Sequence, residues 1–167
     1  MGFKYRIAQA CSSYLSLLLA TMASACVTQA ARDSARRDPV LDHINLTEDW
    51  PYPFSGAVRS GDVLYLSGQL GTRLQNGVPS LVGGGVDAET RQALDNIQAL
   101  LGKCGSSLER VIECRVMLTD MADWPAFNAV YASYFPTRKP ARSAWGVTAL
   151  ALGGRVEIAC IASAPAR

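Results

Sequence analysis

The sequence predicts an α+β fold, with a mixed β-sheet and two helices packed on one of its faces. Short apolar strands alternate with two segments of helical periodicity, in the order two strands, helix, strand, helix, two strands. Helices gathered on one face of such a sheet make a two-layer sandwich. The other face would still carry Val, Met and Ile side chains, so we expect an oligomer in which a second subunit covers it.

The first strands of the folded domain are predicted at Ala57–Arg59 and Val63–Ser67. Ser60-Gly61-Asp62 between them is typical of a hairpin turn, and Asn76-Gly77 marks another turn. Gly83-Gly84-Gly85 then leads into a helix. This triplet lacks the lysine and the glycine spacing of a phosphate-binding loop, so we interpret it as a connection.

The first helix is predicted from Ala88 to Lys103, with Asp87 as its N-cap and Gly105 as its left-handed stop. Apolar residues at helical spacing give it one buried face, namely Ala93, Leu94, Ile97, Leu100, Leu101 and Cys104. This face predicts packing of the helix against the sheet.

A long strand, Leu108–Leu118, follows. Its alternation predicts one face made of Ile112, Cys114, Val116 and Leu118. The second helix is expected to begin at Asp123, with Pro125 in its first turn, and to end at Phe135-Pro136.

The chain closes with two predicted strands, Ala141–Ala149 and Arg155–Ser163, which turn near Gly153 and are expected to form a hairpin. Arg142 lies among small and apolar residues in the first strand. Glu157 is a lone acid in an apolar run of the second. Isolated charges on such strands are costly unless they are paired or used. An ion pair or an exposed strand face is the structural alternative to a functional site.

Residues 1–25 have the pattern of a secretory signal peptide. Lys4 and Arg6 precede the apolar run Tyr14–Ala20, and Ala23-Ser24-Ala25 provides a small-residue cleavage site. The apolar run is too short to span a bilayer comfortably. The mature chain would face the periplasm or the cell exterior, and without a working signal it would be cytoplasmic.

Cys26 follows the cleavage site and resembles the lipidated cysteine of a bacterial lipobox, although Ala23 stands where leucine is usual. Lipidation would tether the protein to a membrane, and ordinary cleavage is the alternative. Residues 26–50 are polar and unpatterned, and we interpret them as a linker or tether. Residues 51–164 form the predicted domain, and 165–167 a short tail.

The charge, the cysteines and the single histidine of the sequence argue against several classes of function. Removing residues 1–25 would leave equal numbers of basic and acidic residues, which gives no electrostatic reason to expect nucleic-acid binding. Cys104, Cys114 and Cys160 have no C-x-x-C spacing, so no zinc site is expected. They are expected to be buried thiols, with one disulfide as the alternative. His43, the only histidine, falls in the linker, which argues against Ser-His or Cys-His catalysis.

Five short segments of the predicted domain occur in a specific order and spacing. They are Gly61-Asp62 with Leu66-Ser67-Gly68-Gln69, Gln92–Ile97, Asn128–Tyr131 with Phe135, Pro140–Ser143, and Val156–Ile158. Together they resemble the RidA/YjgF/UK114 family of enamine/imine deaminases. The resemblance implies a chorismate-mutase-like sandwich and a homotrimer with ligand sites between its subunits.

The resemblance also implies an activity, the hydrolysis of reactive 2-imino or enamino acids to 2-keto acids and ammonia without a metal or organic cofactor. Arg142 would bind the substrate carboxylate, and Glu157 would position the attacking water. Ser67, Gly68 and Asn128 would line the pocket.

Two positions depart from the family pattern. Phe54 replaces a pocket tyrosine, and Ala144 replaces a cysteine two residues after the arginine. These changes favour an alternative function, a non-catalytic periplasmic trimer that binds a small carboxylate. A holdase-like or ribonuclease role is a third hypothesis, and the absence of net charge argues against the ribonuclease.

The expected hairpin bears on the geometry of the site. It would separate Arg142 from Glu157 by about 13 Å or more along the strands. One small imino acid would not touch both within a chain, so we expect Arg142 of one subunit to act with Glu157 of its neighbour.

Overall fold

The computed structural model describes residues 40–48 and 52–165, and within them it contains nine strands and two α-helices. The strands are β1 (Leu41–Ile44), β2 (Ala57–Ser60), β3 (Val63–Leu66), β4 (Gln69–Leu70), β5 (Thr72–Gln75), β6 (Val78–Leu81), β7 (Val111–Leu118), β8 (Ala141–Gly146) and β9 (Val156–Ser163). The helices are α1 (Gly85–Lys103) and α2 (Trp124–Tyr134). The predicted signal peptide, Cys26, linker residues up to 39 and residues 166–167 lie outside the described part of the chain.

The main sheet has the strand order β1-β2-β3-β9-β7-β8, and β4 continues along the same edge of β9 as β3. All neighbouring strands are antiparallel except β7 and β8, which are parallel. β5 and β6 form a separate hairpin. The expected mixed sheet is confirmed, and the last strand in sequence lies at its centre.

The core lies between the helices and one face of the sheet, which we call the helix face. Its largest fully buried side chains come from both layers: Leu64, Leu94, Ile97, Leu100, Leu101, Leu118, Phe127 and Ile158. The opposite face, the open face, carries Tyr65, Met117, Trp145 and Ile161. Tyr65 is 51% exposed and Trp145 41% exposed, so large apolar surfaces on this face are uncovered in the single chain.

Both predicted hairpin turns are confirmed. β2 and β3 are joined through Gly61 and Asp62, with Gly61 at φ 60°. β5 and β6 are joined by Asn76 and Gly77, both with positive φ, as a tight two-residue turn between twisted strands requires. The turn residues therefore fix the register of each pair.

Helix α2 has the predicted bounds, but α1 begins earlier than expected. Its N-cap is Gly84, and Asp87 lies inside the first turn without a side-chain capping bond. The Asp87 carboxylate still interacts favourably with the positive end of the helix dipole.

Tyr134 joins the two helices, because its hydroxyl contacts the Asp95 carboxylate at 2.6 Å. Neither helix is long and apolar enough to cross a membrane.

The strand predicted at Leu108–Leu118 is shorter and bulged. Residues 108–110 form a 3₁₀ turn, and β7 begins at Val111. The register against β9 shifts between Val111 and Glu113, which reverses the alternation there. Val111 consequently packs against the core, and Ile112, predicted to be buried, is 49% exposed.

The predicted hairpin of the last two strands is wrong. β8 and β9 are not neighbours, because β7 lies between them and pairs with both. β8 ends at Gly146, and the connection to β9 includes a 3₁₀ turn at Ala151–Gly153. The chain does turn near Gly153, but β9 pairs with β7, which comes before β8 in the sequence.

The sheet also begins within the segment assigned to the linker. β1 pairs antiparallel with β2, so the described fold starts before the predicted boundary near residue 51. The Asn45 side chain accepts a hydrogen bond from the Gly56 amide at 2.9 Å, which ties the end of β1 to the next loop. A four-residue strand has too short a pattern to be separated from a polar linker by sequence alone.

The expectation that all three domain cysteines are thiols is wrong for two of them. Cys114 and Cys160 form a disulfide between directly opposed positions of β7 and β9, 46 residues apart in sequence. Cys104 is buried and outside the disulfide. The disulfide therefore links the two central strands on the helix face.

We predict that this disulfide contributes about 4 kcal/mol to the free energy of unfolding, because it closes a long loop in the denatured chain. Urea denaturation of the double variant Cys114→Ala/Cys160→Ala, compared with wild type at one protein concentration, measures the loss. The control Cys104→Ala removes a buried sulfur outside the disulfide and is expected to cost about 1 kcal/mol. Equal losses in both variants would contradict the prediction.

Candidate active site

Arg142 lies on the edge strand β8, in register with Cys114 of β7. Because paired residues of adjacent strands point to the same side of a sheet, its side chain projects to the helix face. Arg142 is exposed in the single chain. No carboxylate among residues 40–48 and 52–165 lies within ion-pair distance of its guanidinium. The structural alternative of an internal salt bridge is thereby excluded for the described chain.

Three aromatic rings of α2 surround this guanidinium. Its Cζ lies 4.7 Å from the ring centroid of Tyr131, 4.9 Å from that of Trp124 and 5.6 Å from that of Phe127. These distances are within the range of cation–π attraction. Burial raises the pKa of the Tyr131 hydroxyl to about 12, against the opposing effect of the Arg142 charge. The tyrosine is therefore a neutral phenol at ordinary pH.

Asn128 and Ala144 belong to the same region. Asn128 lies on α2 one turn after Trp124 and three residues before Tyr131, so it shares the helix side that meets Arg142. Ala144 is two residues after Arg142 on β8, points to the same face and is half-buried against the core. We call this group, Arg142 with Asn128 and Ala144, the arginine half of the site.

Glu157 lies on β9 opposite Met117, between the buried residues Val156 and Ile158, and it therefore projects to the open face. Burial raises the pKa of its carboxyl group. The carboxylate lies directly over Gly68, where a Cβ atom would be 1.8 Å from Oε1. Only glycine leaves room for this position of the carboxylate.

Ser67 and Gly68 occupy an irregular point between β3 and β4. Tyr65 pairs with Ile161 and Gln69 with Ile158, so the three residues between Tyr65 and Gln69 oppose only two residues of β9. The extra residue turns the backbone beside Glu157. This bulge combines with Glu157 in what we call the glutamate half of the site.

The loop before β2 belongs to the glutamate half. The Ser67 hydroxyl donates to the Ser55 carbonyl at 2.7 Å, which brings the preceding Phe54 into this neighbourhood. Phe54 is 49% exposed and stacks on Tyr52 with ring centroids 5.4 Å apart. His43 of β1 contacts the Ser55 hydroxyl at 3.0 Å. The only histidine in the sequence thus supports this loop from strand β1, within the segment that was predicted to be an unpatterned linker.

The chain brings the predicted site residues into two groups, not one. Arg142 and Glu157 are offset by three residues along the strands and by two strand spacings, about 14 Å between Cα atoms. Their side chains project to opposite faces of the sheet. The expected separation of Arg142 from Glu157 is therefore present, although the hairpin from which it was predicted does not form.

Other charged residues have structural partners. Arg59 is only 5% exposed, and it donates to the carbonyls of Cys104 at 2.5 Å and Pro165 at 3.0 Å. Arg155 pairs with Asp123 at 2.8 Å, an interaction that raises the arginine pKa. Within the described ranges, no cluster of His, Cys, Asp or Glu could hold a metal ion.

Comparison with known proteins defines the class. The Endoribonuclease L-PSP family profile matches residues 49–164, so the chain belongs to this family, which includes the RidA/YjgF proteins. The goat protein named 2-iminobutanoate/2-iminopropanoate deaminase is 46% identical over 110 residues, covering 66% of this chain and 79% of its own. The expected family is confirmed.

Two further relatives agree. Reactive Intermediate Deaminase A, chloroplastic, of Arabidopsis thaliana is 38% identical over 111 residues, which are 66% of this chain and 58% of that protein. The crystal structure of RidA from an Antarctic Psychrobacter species superposes with a TM-score of 0.63 at 34% identity, covering 77% of this chain and 99% of that one. The fold is therefore the α+β fold of the YjgF/RidA proteins, and relatives named deaminases agree with the expected enzyme class.

Sequence reasoning missed two features of the site. The helical spacing of Trp124, Phe127 and Tyr131 predicts no more than an apolar helix edge, yet their rings contact Arg142. The signal in the sequence that could have indicated this contact was three aromatic residues on one side of a helix, together with an arginine that has no evident acidic partner. The approach of Glu157 to Gly68 had no local signal, because it depends on the pairing of β4 with β9.

We predict that the two arginines respond differently to truncation. Arg59→Met would leave the buried carbonyl of Cys104 and the partly buried contact of the Pro165 carbonyl without their donor, and lower the free energy of unfolding by about 2–4 kcal/mol. Arg142→Met would remove only exposed cation–π contacts and cost about 1 kcal/mol. Urea denaturation of both variants tests this, and a loss at Arg142 as large as that at Arg59 would assign Arg142 a structural role.

Proposed function

We propose that this protein hydrolyses reactive 2-imino acids to 2-keto acids and ammonia, and the name of the goat relative, a 2-iminobutanoate/2-iminopropanoate deaminase, supports this proposal. The observation that carries the proposal is the charge of Arg142, which has no acid beside it in the described chain. A guanidinium of this kind binds a carboxylate through two parallel hydrogen bonds. A 2-imino acid presents such a carboxylate next to its reactive carbon.

Glu157 is the proposed group that handles the water. Burial raises its pKa, which moves the carboxylate toward the range where it can accept and return a proton. It would accept a proton from water as the water oxygen adds to the imine carbon. That proton would pass to the nitrogen and give an amino alcohol. As the carbonyl forms, the proton of the new hydroxyl group would move to the nitrogen by way of Glu157, the C–N bond would break, and ammonia would leave. Each turnover consumes one water and releases one ammonia.

We further propose that a complete site needs two subunits of a homotrimer. The estimated 14 Å between Arg142 and Glu157, and their projection to opposite faces, keep one small substrate from reaching both in a chain. The uncovered side chains of Tyr65 and Trp145 on the open face support an interface there. Ser67, Gly68 and Phe54 would accompany Glu157, and Asn128 and Ala144 would accompany Arg142.

The alternative function is a trimer that binds a small carboxylate without turnover. Phe54 and Ala144 support it, because neither side chain can donate a hydrogen bond or accept a proton. It differs from the deaminase in one measurable respect: 2-oxobutanoate would bind through Arg142, while 2-iminobutanoate would decay no faster than in buffer.

Ammonia release from 2-iminobutanoate tests the proposal. We expect activity in wild type, a loss of at least about 100-fold in kcat/KM for Arg142→Ala, and a loss of about 100-fold or more for Glu157→Gln. The matched control Arg110→Ala removes an exposed arginine elsewhere and should leave kcat/KM within about two-fold. Activity that survives Arg142→Ala contradicts the proposed carboxylate-binding role.

Mixing the two inactive variants tests whether the site is shared. In a head-to-tail ring, random assembly of equal amounts of Arg142→Ala and Glu157→Gln subunits gives about a quarter of the sites an intact Arg142 and an intact Glu157. We expect about that fraction of wild-type activity after joint refolding. No recovery in mixed oligomers of confirmed composition would show that both residues act within one chain.

We also propose that the protein is exported, with residues 1–25 removed and Cys26 at the mature N-terminus, lipidated or simply cleaved. The signal-like pattern of residues 1–25 supports export. The Cys114–Cys160 disulfide supports it independently, because structural disulfides are typical of oxidising compartments.

Fractionation of bacteria that express the full chain tests the proposed location. We expect a periplasmic or membrane-associated product whose intact mass lacks residues 1–25, with the membrane-bound part lost in Cys26→Ala if Cys26 carries lipid. The variant Ala30→Ser is the matched control and should change nothing. A cytoplasmic product that retains Met1–Ala25 contradicts export.

A further inference from the structure

The three rings around Arg142 form a box, which we define as Trp124, Phe127 and Tyr131. They lie at positions i, i+3 and i+7 of α2, on one side of the helix. Adjacent rings contact each other, with centroids 5.9 Å apart for Trp124 and Phe127 and 5.4 Å for Phe127 and Tyr131. The row continues to Phe135, whose ring centroid lies 4.7 Å from that of Tyr131, but Phe135 is not among the rings that make a cation–π contact with Arg142 in the described chain.

The box attracts the cation without neutralising it. Ring faces carry partial negative charge and hold a guanidinium within about 6 Å, yet they accept none of its planar N–H hydrogen bonds in the way a carboxylate would. The Tyr131 hydroxyl of the box is buried and has no hydrogen-bond partner in the described chain. It stays protonated, since burial raises its pKa to about 12.

The box is also held rigidly. At the end of α2, the Tyr134 hydroxyl contacts the Asp95 carboxylate at 2.6 Å and the Arg91 carbonyl at 3.2 Å, both on α1. At its start, Asp123 accepts two hydrogen bonds from Arg155, the residue that leads into β9. Both ends of the helix are thus fixed to the rest of the fold, and the rings cannot retreat from Arg142 independently.

We propose that Trp124, with Phe127 and Tyr131, positions the Arg142 guanidinium for carboxylate binding while leaving its N–H donors available. A free arginine side chain loses much rotamer freedom when it binds a carboxylate, and a guanidinium already held on rings loses less. Trp124 is the decisive member, because tryptophan gives the strongest cation–π attraction and this ring is not fully buried. The inference rests on the proposed role of Arg142 in binding carboxylates.

The test measures binding as well as turnover. Calorimetric titration of the full oligomer with 2-oxobutanoate is expected to give a Kd roughly three- to thirty-fold higher in Trp124→Leu than in wild type. Trp124→Phe restores a ring face and should recover most of the affinity. In the deaminase assay Trp124→Leu should raise KM by a similar factor and Trp124→Phe should largely restore it, with kcat of both variants within about two-fold of wild type.

Two controls separate positioning from a merely structural role. Phe135→Leu removes a ring from the same row without touching Arg142, so it should lower the melting temperature but leave the Kd unchanged. In an Arg142→Ala background, Trp124→Leu should cause no further loss of affinity, because the ring acts only through the arginine. Additive losses in that background overturn the proposal.

The outcomes also separate this inference from the proposed reaction. If wild type binds 2-oxobutanoate but hydrolyses no imine, the deaminase proposal fails and the comparison of Kd values still decides the role of the box. If Trp124→Leu binds as tightly as wild type, the box proposal fails, whatever the activity. Absence of binding by wild type overturns both.

Discussion

The contact between the Arg142 guanidinium and the rings of α2 is the interaction on which the functional reading depends. A positively charged side chain at a sheet edge ordinarily pairs with an acidic residue or extends into the solvent. Here the described chain offers it three aromatic faces and no carboxylate within reach. The guanidinium is therefore held in place without an opposite charge beside it. Arg59 and Arg155, by contrast, have carbonyl or carboxylate partners and serve the structure.

The sheet imposes the second constraint. Because side chains alternate across a strand and registered partners share a face, the positions of Arg142 beside Cys114 and of Glu157 beside Met117 commit them to opposite sides. No rotamer change can bring them together within a chain. Each group is nevertheless well formed: the bulge and Gly68 accommodate the Glu157 carboxylate, and α2 holds Arg142. A site shared between identical subunits would require such an arrangement, in which each chain carries a complete arginine half and a complete glutamate half at separate places.

Much of this was accessible from sequence, for identifiable reasons. Turn residues such as Asn76-Gly77 and the periodic face of α1 act locally, so their pattern fixed those elements. The failures involve pairing between distant segments. The hairpin expected at Gly153 does not form, because β7 lies between its two strands. The bulge near Ile112 reverses an alternation of side chains that is correct for the rest of β7. The Cys114–Cys160 disulfide depends on the register of β7 against β9. At the site, Arg142 and Glu157 were identified by their isolation, whereas the aromatic surroundings of Arg142 required the approach of α2 to β8 to be known.

The central location of β9 has a consequence for how the chain is made. This strand comprises Val156–Ser163, yet it lies between β3 and β7 and carries one cysteine of the disulfide. During synthesis the two parts of the sheet that flank β9 have no common neighbour until this strand has emerged, and the disulfide of Cys114 with Cys160 must wait for the same event. The two sides of the sheet therefore remain separate while every described strand that precedes β9 is synthesised, and neither the complete sheet nor the covalent link between its central strands can form cotranslationally before that point.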